Sequence, residues 1–210
     1  MFCRKNKKKN VWMKKYLKDI YVKKVKQNSE FRSRSWFKLQ EIQKLDKIFK
    51  PNITIIDLGC SPGGWSKFVS LKIGLKGKII ACDLLPMKKI NNVSFIQGNL
   101  CDDNIINLIK IKLNNLKAQV IMSDISPNIS GIKEIDIPKS MYLSELALNL
   151  CYSVLDFNGN FLIKIFQGIG VNQYLKKIDS LFKTMKIRKP DASRSHSCEI
   201  YVVAKGYQNK

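Results

Sequence analysis

The sequence predicts an α/β domain in which a mostly parallel sheet of seven strands is covered by helices on both faces and carries an antiparallel hairpin at one edge. Three observations predict it. From Thr54 onward, short β-branched runs alternate with longer apolar-periodic stretches, the pattern of repeated strand–helix units. The first strand passes into its helix through a glycine turn, Asp-Leu-Gly-Cys-Ser-Pro-Gly-Gly-Trp at 57–65. Two strand-like runs close the chain with no helical stretch between them, as an edge hairpin requires.

Length and composition bound the answer. At 210 residues and 45% hydrophobic content, the chain can fill one α/β core but not two. We expect a basic arm over 1–26 followed by one domain over 27–210. Lys and Arg number 38 against 16 Asp and Glu, a net charge of +22 that favours a polyanionic partner. No apolar run reaches the length of a membrane span and no signal core follows the basic start, so no membrane and a cytoplasmic location are expected. The cysteines are scattered without a Cys-x-x-Cys pair and His196 is the one histidine, which leaves no zinc pattern and no disulfide framework.

In chain order, the arm interleaves Arg4, Lys5, Lys7, Lys8, Lys9, Lys14, Lys15, Lys18, Lys23, Lys24 and Lys26 with Trp12, Tyr16 and Tyr21. That mixture suits phosphate neutralisation and base stacking on looped or single-stranded RNA, and equally a solvated arm. Phe-Arg-Ser-Arg-Ser-Trp-Phe-Lys-Leu at 31–39 opens a helix with the apolar row Trp36, Leu39, Ile42 and Leu45, capped by Ser33 or Ser35. Taken alone, Lys38 beside that row reads as a surface lysine with a buried stem. Strands follow at 78–83 and 93–97, and a helix with an acidic start at 102–116. The strand at 120–123 leads into a loop over 126–138 and then a long helix bearing Leu143, Leu146, Ala147, Leu150, Cys151 and Val154. A strand at 161–166 follows the turn Asn158-Gly159. A helix at 174–182 and strands at 185–188 and 199–204 complete the domain.

The glycine turn and the strand ends carry the chemistry. Glycines let a backbone approach a ligand closely, and the N–H groups of a helix start are free to bond it. The spacing Gly59, Gly63, Gly64 is not the dinucleotide pattern G-x-G-x-x-G, so a pyrophosphate turn is disfavoured. Asp83 ends the second strand about 20 residues beyond the turn, where a carboxylate accepts both hydroxyls of a ribose. Asp124 stands at the carboxyl end of the fourth strand. Lys164 is a lone lysine inside Phe-Leu-Ile-Lys-Ile-Phe, and Glu199 opens the last strand among apolar residues. Buried charges of this kind are rare unless paired or functional.

Asp-x-Gly-x-x-Pro-Gly-Gly-Trp resembles the first motif of S-adenosylmethionine-dependent methyltransferases, and its ending resembles the FtsJ-like RNA 2′-O-methyltransferases. The likeness runs along nearly the whole chain, through 32–39, Ala-Cys-Asp-Leu-Leu-Pro-Met at 81–87, Asp-Ile-Pro-Lys-Ser-Met-Tyr-Leu at 136–143, Lys-Ile-Phe-Gln-Gly at 164–168 and Arg-Lys-Pro-Asp-Ala-Ser-Arg at 188–194. Those stretches resemble in particular the bacterial heat-shock branch that acts on a uridine in the A loop of 23S ribosomal RNA. The resemblance implies a Rossmann-like methyltransferase fold, S-adenosylmethionine as donor and 23S rRNA within the large ribosomal subunit as partner of a monomeric enzyme. It places the family's Lys-Asp-Lys-Glu tetrad on Lys38, Asp124, Lys164 and Glu199, and cofactor contacts on Gly63, Trp65, Asp83, Asn99 and Asp124.

With a sulfonium donor the methyl is already activated and no metal is needed. The protein must align the 2′-hydroxyl and help remove its proton. Lys164 would be the base, which requires some neutral amine. Partial burial and the like charge of Lys38 favour that form and Asp124 opposes it, so Asp124 reads better as an orienting group. Glu199 would position Lys38 or the ribose. At position 99 the family usually has an aspartate against the adenine. Asn99 keeps a carbonyl acceptor but lacks the charge, so somewhat weaker cofactor binding is expected. A tRNA ribose methyltransferase shares the tetrad, and a non-catalytic assembly factor would not need it. A nicotinamide oxidoreductase is disfavoured, because the glycine spacing is wrong and no hydride-transfer acid such as a strand-end His is available.

Overall fold

The structure, a computed structural model, describes residues 20–194 and 197–208. Ile20–Gln27 (α1) turns through a 3-10 segment, Ser29–Phe31, into Ser35–Asp46 (α2). Strand–helix units follow: Thr54–Leu58 (β1), Gly64–Ile73 (α3), Lys78–Asp83 (β2), Val93–Gln97 (β3), Asp103–Leu113 (α4) and Ala118–Ser123 (β4). Lys133–Val154 (α5), Leu155–Phe166 (β5), Val171–Leu181 (α6), Phe182–Arg188 (β6) and Glu199–Tyr207 (β7) complete it. The seven strands lie in the order β3-β2-β1-β4-β5-β7-β6. β3 through β5 are parallel, while β7 runs antiparallel to both β5 and β6, as the two terminal runs predict.

Alternation along the central strands feeds two cores. Ile56, Leu58, Ile80 and Ile121 face α4, α5 and α6. Ile55, Ile79, Val120, Leu162 and Tyr201 face α2 and α3. Val22 of α1 is buried and the Tyr21 ring lies 5.2 Å from that of Phe37, so this short helix packs on the second core. Every predicted strand and helix from 31 onward is present; the differences lie at their ends. The part of the predicted arm over 1–19 lies outside the described residues.

Four ends differ for identifiable reasons. Ser33 and Ser35 do not cap α2: their hydroxyls bond each other at 2.7 Å, and the Cβ that Gly64 lacks would sit 2.1 Å from Ser33 Oγ. The α2 row also shifts, with Phe37 buried and Leu45 exposed. Asp102 caps α4 by accepting from Asn104 N–H, and the left-handed pair Asn114 and Asn115 stops it before Leu116, which is exposed. α5 begins before Pro138, because the Asp136 carboxylate takes the N–H groups of Ser130 and Gly131 and fastens the loop to its first turn. The Asn158-Gly159 turn does not precede β5 but interrupts it: register slips between Ala118↔Leu155 and Val120↔Asn160.

Candidate active site

The glycine turn is shaped by what lies against it. Gly59 has φ +72°, and a Cβ there would meet Ile125 Cα at 2.5 Å, so the turn touches the backbone that follows β4. Gly63, at φ +102°, is the N-cap of α3 and has Arg32 against it. The Arg32 guanidinium donates to the carbonyls of Pro62, Lys88 and Lys89 at 3.3, 2.8 and 3.0 Å, tying the turn to the loop after β2. The 32–35 segment is thus the outer wall of the turn.

Beside the turn is a cavity of about 280 Å³ lined by Gly59, Ser61, Asp83, Asn99, Asp124 and Leu143, among others. Of the expected cofactor contacts, Asp83, Asn99 and Asp124 meet there, at the carboxyl ends of β2, β3 and β4. Asp83 accepts from Ser61 N–H and Leu85 N–H, both at 2.8 Å, which fixes its carboxylate and leaves a lone pair on each oxygen. Gly63 and Trp65 do not line the cavity. The Trp65 side chain is buried, with its indole N–H on the Ser35 carbonyl at 2.9 Å.

The four charged residues predicted to act together do meet, at the edge where β4 and β5 end and β7 begins. Lys38 is 8% exposed, not a surface lysine; its Nζ lies 2.5 Å from Glu199 Oε1 and 3.2 Å from Tyr201 Oη. Tyr201 Oη donates to Asp124 Oδ1 at 3.2 Å. Lys164 Nζ lies 3.2 Å from the same Oδ1 and donates to the Asp124 carbonyl at 2.7 Å. Glu199, Lys38, Tyr201, Asp124 and Lys164 therefore form one continuous chain. The register explains the meeting: Tyr201 pairs with Lys164 across β5 and β7, and Glu199 lies two residues away on the same face.

Tyr201 is absent from the residues that the sequence singles out. Its signal is the period-two step from Glu199, visible only once both are placed on one strand.

The electrostatics follow from burial and pairing. Burial pushes the Glu199 carboxyl up, but the charge and hydrogen bond of Lys38, with the charge of Lys164, outweigh it and hold Glu199 below the ordinary carboxylate value. Burial, then the Asp124 and Glu199 charges, push the Tyr201 phenol well up, so it stays a neutral hydroxyl. Beneath the turn, Asp57 is fully buried with Ser66 Oγ at 2.5 Å and its other oxygen without a partner among the described residues; burial raises its carboxyl to about 8.

Residues 31–207 match the sequence profile of the FtsJ-like methyltransferases, a span that holds the turn, the cavity and the charged chain. The chain belongs to the FtsJ-like methyltransferase family. A solved structure from Plasmodium falciparum, described as a ribosomal RNA methyltransferase, is 28% identical to this FtsJ-like chain, with a TM-score of 0.76 over 86% of it and 100% of that protein. An rRNA-methylase structure from Clostridium thermocellum aligns at 14% identity and TM-score 0.56, over 81% of this chain and 97% of the other. MycE methyltransferase of the mycinamycin pathway, solved with Mg and SAH, aligns at 13% and 0.52, over 85% of this chain and 48% of its own. The last two show the fold alone.

Proposed function

We propose that this protein transfers a methyl group from S-adenosylmethionine to the ribose 2′-hydroxyl of a uridine in the A loop of 23S ribosomal RNA, within the large ribosomal subunit. The observation that carries the reading is the chain Glu199–Lys38–Tyr201–Asp124–Lys164 beside a cavity holding Asp83, Asn99 and Asp124. The family match and the Plasmodium relative described as a ribosomal RNA methyltransferase support an RNA substrate, as does the +22 charge.

The donor set fits an adenosyl cofactor. Asp83 has lone pairs for a ribose diol and Asn99 stands one strand further out for the base, whereas Gly63, whose N–H bonds the Cys60 carbonyl, and Trp65 shape the turn from outside the cavity. When bound, the cofactor supplies a methyl on a sulfonium, activated without a metal. Lys164 takes the 2′-hydroxyl proton at Nζ. Lys164 Nζ donates to the Asp124 carbonyl and lies 3.2 Å from its carboxylate, so both contacts hold the nitrogen against Asp124, and the lone pair of a neutral amine is the group left for the substrate proton. Lys38, held by Glu199 and Tyr201, places a positive charge near the oxygen as it loses its proton.

Labelled methyl transfer to unmodified large subunits, free 23S rRNA and tRNA in parallel, with ribose mapping, tests this. Label on a 23S uridine ribose is expected. Label on tRNA alone overturns the rRNA assignment, and none on any substrate overturns catalysis. Lys164→Ala is expected to abolish transfer with cofactor affinity nearly unchanged; near-normal turnover removes Lys164 as base.

A further inference from the structure

Asn99 lines the cavity in the turn that follows β3, beside the Asp83 turn that ends β2, at the end where the cofactor reading above puts the base. Its amide is already oriented. Cys101 N–H lies 3.0 Å from Asn99 Oδ1, and a backbone N–H can face only the oxygen of an amide, so the orientation is fixed by chemistry. The Nδ2 amino group is the other end of that planar group, and it has no hydrogen-bond partner among the described residues. An aspartate in this place would give one oxygen to Cys101 and keep the second as an acceptor. Asparagine gives its single oxygen to Cys101 and presents a donor instead.

We infer that Asn99 makes the base end of the cavity a hydrogen-bond donor, so that this protein accepts a purine with a 6-oxo group nearly as well as one with a 6-amino group. The inference rests on the adenosyl reading of the cavity proposed above. An acceptor-only carboxylate welcomes a 6-amino group and repels a 6-oxo group. An amide donor bonds a 6-oxo group and leaves the 6-amino group only the second lone pair of a shared oxygen. Leu84 and Leu85, exposed on the same cavity wall, supply apolar surface to either ring and do not distinguish them.

Titration calorimetry on the full chain decides it, with S-adenosylhomocysteine and its deaminated counterpart S-inosylhomocysteine as probes, for wild type, Asn99→Asp and Asn99→Ala. Asn99 is exposed, and a thermal melt of each variant confirms folding. Asn99→Asp is expected to raise the ratio of inosyl to adenosyl dissociation constants by about tenfold, the worth of one hydrogen bond to a charged group. Asn99→Ala is expected to weaken the inosyl probe several-fold and the adenosyl probe little. A ratio unchanged across all three proteins overturns the inference and leaves the adenosyl site standing. Failure of wild type to bind S-adenosylhomocysteine at all overturns the cofactor reading itself.

Discussion

Tyr201 joins two lysine–carboxylate pairs through one oxygen, accepting from Lys38 and donating to Asp124. Removing that oxygen leaves the ring in its place against Trp65, 5.9 Å between centroids, so Tyr201→Phe keeps the packing and loses only the link. Turnover is expected to fall by about tenfold, from loss of hydrogen bonds to charged groups, with cofactor affinity unchanged; single-turnover methyl transfer and calorimetry separate the two. Wild-type turnover in the phenylalanine variant would show that Asp124 and Lys38 hold their positions without it. Asp57 sets a different, pH-linked expectation. Unfolded, its carboxyl titrates near the ordinary value of 3.8; folded, burial moves it to about 8. Between those values the folded protein holds the proton that the unfolded chain gives up, so this group's contribution falls as pH rises through the window. Asp57→Asn has no proton to lose and keeps an acceptor for Ser66. Its urea midpoint is therefore expected to drop less than that of wild type between pH 5 and pH 8, and parallel midpoints would contradict the burial argument. Lys164 stands out in the sequence because a charge interrupts an apolar strand. Tyr201 and Asp57 do not, since a tyrosine in a strand reads as core and an aspartate before a glycine turn reads as part of the turn.

At the scale of elements, α2 acts as a clamp on the β6–β7 hairpin. Along one side of the helix Arg34 bonds the Ala192 carbonyl, Lys38 bonds Glu199, Glu41 takes the N–H groups of Asp191 and Ala192, and Asp46 takes Arg188 through two bonds at 2.7 and 2.8 Å. The spacing Arg34, Lys38, Glu41 follows the helical period, which places all three over the same hairpin. Asp46 is nearly fully buried, while Arg188 keeps partial contact with water. Asp46→Ala is expected to cost about 2 kcal/mol, less than a fully buried pair because the arginine can turn to solvent. A chemical-denaturation midpoint within error of wild type would show that the helix end does not hold the hairpin. The hairpin itself is legible from two successive strand-like runs, and α2 from its apolar row. The clamp is not, because its partners lie about 150 residues apart and each looks like an ordinary helix-surface charge until the hairpin is folded back. Pro138 misleads for a similar reason: locally a proline marks a loop, whereas here the Asp136 carboxylate binds Ser130 and Gly131 and carries the helix start back beyond it.

For the whole molecule, the dominant physical fact is charge. An excess of 22 positive charges on 210 residues attracts a polyanion at long range, and salt dependence measures how many phosphates are neutralised. Eight basic residues fall within 1–19, from Arg4 to Lys18. Deleting that segment tests its role, with a thermal melt to check folding, whereas a cut at residue 26 would also remove buried Val22 and the Tyr21 ring that packs on Phe37. If the segment binds phosphates, the slope of log affinity against log salt for an rRNA fragment should shrink by about 0.7 for each phosphate no longer neutralised. Turnover at saturating RNA should stay near wild type, because the charged chain around Lys164 lies wholly outside the deletion. An unchanged slope would assign RNA attraction to the folded domain alone. Abolished turnover with an unchanged slope would mean that the segment orders the substrate at the site and does not gather it from solution.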